Sequence, residues 1–219
     1  MAFGEVGTAL SKIKSPAVNL ADTFAFSGTV TGFDKTPLTL LSTFTSDGSD
    51  ANATFDSSII TDAFDEYLFI VNSLHPQTNA KYLEFRPSID NGSNYNLTNT
   101  STMFFAYHRE DNGGSVALEY GSGQDTHNGA NVLISGDTGN EADECVSGVF
   151  RLYNPSSTTF VKHFSGQMNS SDGGSGTATY NFAAYSAGYV NTTSAVNNIK
   201  FTFNSGEIQG GTISVFGVA

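Results

Sequence analysis

Asn197-Asn198-Ile199-Lys200-Phe201-Thr202-Phe203-Asn204, Ser205-Gly206-Glu207-Ile208-Gln209-Gly210-Gly211 and Thr212-Ile213-Ser214-Val215-Phe216-Gly217-Val218-Ala219 follow one another at the end of the chain. Ile199, Phe201 and Phe203 fall on one parity and Lys200 and Thr202 on the other, the period of a half-buried strand. The Gly-rich middle reads as a turn, so the segment predicts a terminal hairpin that locks the C-terminus into a sheet. It carries no visible chemistry.

The rest of the chain has the same character. Among 219 residues there are 23 Gly, 18 Phe and 9 Tyr, no Trp, and only 14% charged residues. Many β-formers, frequent turn residues and few long charged side chains predict an all-β fold rather than a helical enzyme. The length is enough for one domain with an appendage and a sizeable core.

Runs of β-formers separated by turn clusters begin after residue 35. They fall at Leu38 to Thr45, Thr54 to Ile60, Glu66 to Val71, Lys81 to Ile89, Thr102 to His108, Val116 to Tyr120, Ala130 to Ser135, Cys145 to Tyr153, Thr158 to Met168, Thr177 to Ala187 and the terminal pair. Glu66 to Val71 is apolar on both faces and predicts a central strand. His75 to Asn79 reads as a loop, and Lys81 to Ile89 places Leu83 and Phe85 inward with Tyr82, Glu84 and Arg86 outward. Asp90-Asn91-Gly92-Ser93 is a strong turn signal. The expected fold is a two-sheet antiparallel jelly-roll sandwich over residues 36–219, preceded by an extended arm over residues 1–35. In that arm Phe24, Phe26 and Val30 share one parity and need a partner surface, which makes them the candidate subunit-assembly residues.

The formal net charge of −12 argues against nucleic acid, whose binding rests on clustered Lys and Arg, and against an anionic lipid surface. No stretch reads as a membrane span. The N-terminus has no basic and apolar leader, so the expectation is a protein made and kept in a cytoplasm unless released by another route. Asn-x-Ser/Thr sequons at Asn52, Asn91, Asn96, Asn99, Asn169 and Asn191 follow from a composition rich in Asn, Ser and Thr. Cys145 is the only cysteine, which rules out an internal disulfide and predicts a buried, inert thiol.

Four histidines, His75, His108, His127 and His163, stand singly, without the spacing of zinc ligands. Glu141-Ala142-Asp143-Glu144, shortly after Asp137, is the densest acidic run. It lacks the Asp/Asn alternation and Gly of a calcium loop and reads as a solvated loop, with calcium binding over Asp137 to Glu144 left open. No nucleophile elbow, carboxylate pair or phosphate cradle stands out, so no catalytic residue, metal ligand or cofactor is expected. Tyr95, Tyr107, Tyr120, Tyr185 and Tyr189, placed near predicted strand ends, are the better lead, because a phenol stacks on a sugar ring and still hydrogen-bonds.

Several motifs carry a resemblance: Glu66-Tyr67-Leu68-Phe69-Ile70-Val71-Asn72-Ser73-Leu74-His75-Pro76, Tyr82-Leu83-Glu84-Phe85-Arg86-Pro87-Ser88-Ile89-Asp90-Asn91-Gly92-Ser93-Asn94-Tyr95, Gly148-Val149-Phe150-Arg151-Leu152-Tyr153-Asn154-Pro155 and the terminal pair. In order and content they resemble virion structural proteins of tailed bacteriophages, over roughly residues 60–219. Asn19 to Gly32 is similar to the short stems of phage fibres, in which identical chains intertwine as trimers. The resemblance implies a non-enzymatic homotrimeric fibre knob, assembled in the host cytoplasm and displayed on the virion. Its partners would be other virion proteins of the tail or capsid and a host-surface glycan. The alternatives are a capsid decoration protein and a carbohydrate-binding module.

Overall fold

The computed structural model describes residues 37–111, 113, 116–172 and 179–218. Phe24, Phe26 and Val30, with the whole predicted arm, lie outside them. Among the described residues all regular structure is strand: β1 (Leu38–Thr45), β2 (Ala53–Phe55), β3 (Glu66–Pro76), β4 (Leu83–Ser88), β5 (Asn99–Arg109), β6 (Ala117–Tyr120), β7 (Thr126–Gly129), β8 (Val132–Leu133), β9 (Val146–Tyr153), β10 (Lys162–Asp172), β11 (Tyr180–Val190), β12 (Asn198–Phe203) and β13 (Ile208–Val218).

Two antiparallel sheets form a β-sandwich. The large sheet runs β1-β13-β3-β9-β10-β11-β5-β6, with β7 also on β5, and the small one runs β2-β12-β4-β8. The pairs β1·β13, β2·β12, β3·β9 and β4·β8 are nested, each outer pair enclosing the next in chain order. Two excursions interrupt this nest: β5 to β7 between β4 and β8, and β10 with β11 between β9 and β12. Because β11 pairs with β5, the excursions join each other and widen the large sheet beyond β9.

The core lies between the sheets. From the small sheet, Phe201 brings its ring to 5.1 Å from Phe69 and 5.6 Å from Phe150 of the large sheet, and Phe85 lies 4.6 Å from Phe150. Phe55, Phe69, Phe85, Phe150, Phe164 and Phe201 are all buried. Such ring pairs add about 0.5–1.5 kcal/mol each beyond the area they bury. The alternation in the sequence therefore marks the inner face of the small sheet correctly at Phe85 and Phe201.

The terminal hairpin does not form. β12 pairs with β2 and β4, whereas β13 pairs with β1 and β3. Ser205 and Gly206 carry the chain from one sheet to the other, which lets Phe201 and Phe203 on one side and Ile213 and Val215 on the other all face the core. A two-stranded hairpin would have left them in one layer. Two further expectations change, and one gains a detail. His75 and Pro76 continue β3 instead of opening a loop. The segment after Phe55 turns at once, with Ile59 N–H and Ile60 N–H bonded to the Asp56 carbonyl at 3.0 and 2.8 Å. Glu84 shares the outer side with Arg86 as expected, yet it is buried there, and Arg86 donates to its carboxylate at 2.7 and 2.5 Å. β3 is an interior strand as expected, but its outward-facing Ile70 is 38% exposed. Cys145 precedes β9 and is partly exposed.

Candidate functional site

The uncovered face of the large sheet presents one row that crosses eight strands: Thr43, Ser214, Ile70, Val149, Gln167, Tyr185, Phe104 and Tyr120, each opposite the next. A strand turned half to solvent ordinarily places polar residues there. Here Tyr120 is 55%, Phe104 47% and Tyr185 38% exposed. The rings of Phe104 and Tyr185 stack at 5.1 Å with an interplanar angle of 11°. Gln167 Nε2 donates to the Tyr185 hydroxyl at 3.3 Å.

Small side chains beside this row make a hollow. Ser165 on β10, Ala187 on β11 and Thr102 on β5 are mutual neighbours in the adjacent row. Between taller Val149 and Arg151 on one side and Tyr185 and Phe104 on the other, they floor a groove of about 340 Å³. A second hollow shares Thr102 and Ala187 and reaches His163 and Tyr189. From Tyr185 to Tyr189 the trough spans roughly 13 Å along β11. Arg151 is held by an ion pair with Glu66 on β3, and the Tyr153 hydroxyl lies 3.1 Å from Ser165 Oγ. The trough thus combines flat apolar surface with amide, hydroxyl and guanidinium groups, a lining suited to a neutral polyhydroxylated ligand.

Three of the five tyrosines expected to matter, Tyr120, Tyr185 and Tyr189, share this face, although Tyr185 stands in mid-strand and not at a strand end. Tyr95 does not join them: its hydroxyl donates to Asn198 Oδ1 at 2.7 Å, and Lys200 Nζ sits 4.1 Å from its ring centre. Tyr107 points to the opposite side, where its ring contacts Tyr180 and Phe182 and its hydroxyl donates to Glu119 at 3.0 Å. That bond raises the Tyr107 pKa. Phe104, Gln167 and Arg151 escaped the sequence reading. The alternation of small and large residues in Ala183, Tyr185, Ala187 and Tyr189 is the signal that points to this face.

The histidines remain dispersed. His75 Nδ1 lies 2.6 Å from the Glu144 carbonyl and His127 Nε2 2.8 Å from Asp125 Oδ2, while His163 rests against the Tyr189 ring. In the acidic loop, Glu144 turns inward and accepts the Glu141 N–H at 2.9 Å, leaving Glu141 and Asp143 exposed. Among the described residues no three His, Cys, Asp or Glu side chains come together as a metal site. Burial pushes Asp137 above its ordinary pKa. A hydrogen bond with Tyr82 and the charge of Lys81 oppose the rise, and the charge of Asp172 adds to it. Comparison with known proteins gave no match to a family model, a curated protein or a solved structure.

Proposed function

We propose that this chain is a non-enzymatic structural protein of a tailed-phage virion, displayed in several copies, whose head contacts host-surface glycan through the outer face of its large sheet. The single observation behind the contact is the exposed Phe104–Tyr185 stack beside a trough of small polar side chains. Stacked rings give a rigid apolar platform at low entropic cost, and Gln167 next to them supplies hydrogen bonding. The nested strand pairs support a jelly-roll reading of the head, widened by its two excursions. The resemblance described above supports the virion.

One shallow trough binds weakly. Copies joined through Phe24, Phe26 and Val30 of the arm bind together, and avidity makes up the difference. A glycan array probed with the full chain, followed by titration of any hit, tests the contact. Binding by wild type and its loss on Tyr185→Ala are expected; an array without hits removes the glycan reading. Labelled antibody on imaged particles tests the virion assignment, and a particle without label removes it.

Capsid decoration is the second reading. It is favoured by exposed apolar side chains on the large sheet, Leu40 on β1 and Leu118 on β6, at 57% and 72% exposure. Label over the head lattice selects it, and label at the tail selects the fibre.

A further inference from the structure

We propose that the glycan held on the outer face of the large sheet is a neutral linear oligosaccharide that runs lengthwise along β11, over the Phe104–Tyr185 pair and into a hollow on each side of it. This extends the glycan contact proposed above and rests on it.

The trough described above lies on the Tyr189 side of that pair. On the Asn181 side the same face opens a second hollow of about 340 Å³, floored by Ser147 on β9, Asn169 on β10 and Ala183 on β11, each opposite the next in register. Val149 and Gln167 wall both hollows. Along β11 the outward residues run Ala183, Tyr185, Ala187, so a low position lies on each side of the tall one. Ala183 and Ala187 are separated by about 13 Å of strand. That is more than one pyranose ring spans, so a ligand filling both hollows places a sugar in each and a third over the aromatic pair between them.

The two hollows offer different groups. The first has the Arg151 guanidinium and the Ser165 hydroxyl. In the second the Asn169 amide is fixed: Nδ2 donates to Asn181 Oδ1 at 2.7 Å and to the Phe182 carbonyl at 3.2 Å, which uses both hydrogens and leaves Oδ1 to accept. Ser147 Oγ accepts the Ser73 N–H at 2.8 Å and keeps its own hydrogen to donate. Sugar hydroxyls, which donate and accept, suit both.

Charge decides against an ionic ligand. The chain has 21 Asp and Glu, yet among the described residues no outward position of β5, β9, β10 or β11 holds one. A cation finds no counter-charge on these strands. Arg151 is paired with Glu66 of β3, so an anion would have to compete for the guanidinium.

The test titrates the full-length chain with neutral linear oligosaccharides of glucose and of N-acetylglucosamine, from one to six units, by isothermal calorimetry. Affinity is expected to rise about tenfold or more between one unit and three, because a ring entering the second hollow binds intramolecularly once its neighbour is held. Ala183→Leu, which fills the second hollow, should remove that gain and make short and long chains bind alike, and Asn169→Ala should reduce it. Affinity that does not depend on length overturns the inference and leaves the glycan contact standing. A gain that survives Ala183→Leu lays the ligand across the strands in the first hollow and overturns the inference too. Failure to bind at any length removes the contact itself, and the inference with it.

Discussion

Phe201 and Phe69 hold the two sheets together: their rings meet edge to face at 5.1 Å, one from β12 of the small sheet and one from β3 of the large. Phe201 also touches Phe55, Phe85 and Phe150. Replacing it with Ala leaves a cavity where both layers meet, and the expected loss is about 3–5 kcal/mol. Urea unfolding measures this directly. Phe160→Ala, at a ring 69% exposed, is the control and should stay within about 0.5 kcal/mol of wild type.

Gly211 has a φ of +94°, and a Cβ there would stand 2.3 Å from the Ser73 carbonyl oxygen and 2.6 Å from Leu74 Cα. The β13 register shifts at this point, opposite Ser73, whose own φ is 51°. Gly211→Ala must strain its backbone and displace β3, so a loss well above about 2 kcal/mol is expected. Gly48 shares the positive φ but would meet only the Gln209 carbonyl at 3.9 Å. Its Ala variant should lose only the left-handed conformational cost, about 1–2 kcal/mol. Equal losses at the two positions, measured by thermal unfolding, would show that the Ser73 approach is unimportant.

Asp137 links stability to pH. Its folded pKa lies above the ordinary aspartate value of 3.8, so between the two values the folded state binds more protons than the unfolded one. Stability from this group is therefore complete below 3.8 and declines as pH rises through the raised folded value. Asp137→Asn keeps an acceptor for Tyr82 and removes the penalty. The variant should melt higher than wild type at pH 7, with the difference vanishing toward about pH 4. A gain that persists at pH 4, read by calorimetry, would place the effect elsewhere.

Tyr185 separates binding from folding. Removing its exposed ring by Tyr185→Ala forfeits one stack with Phe104, worth at most about 1.5 kcal/mol of stability. Glycan affinity should fall at least tenfold in the same protein. Isothermal titration and chemical unfolding of one preparation give both numbers.

Much of the local structure was legible in particular residues. Leu38 to Thr45 forms a strand with the expected limits, and Asp90-Asn91-Gly92-Ser93 turns with Asn91 and Gly92 at φ 58° and 84°. Here Asp90 accepts from Ser88 and Asn94, which holds its carboxyl at about 2. These features depend on neighbours within a few residues, so alternation and turn chemistry reveal them. The burial of Glu84 left no mark in the sequence, because alternation gives its side but cannot show that Arg86 reaches back to neutralise its carboxylate. The stacked pair on the outer face was invisible because Phe104 and Tyr185 become neighbours only when two separate excursions pair as β5 and β11.

The amino-acid order alone settled that this chain folds into strands, where most of them lie and which side of several meets the core, because side-chain period and turn residues act over short distances. Tertiary structure alone decided which strand lies beside which. It sent β12 and β13 to different sheets and carried Tyr185 to Phe104. Those choices are set by long-range burial of apolar surface, which favours two covered layers over one local hairpin and leaves no periodic trace in the sequence.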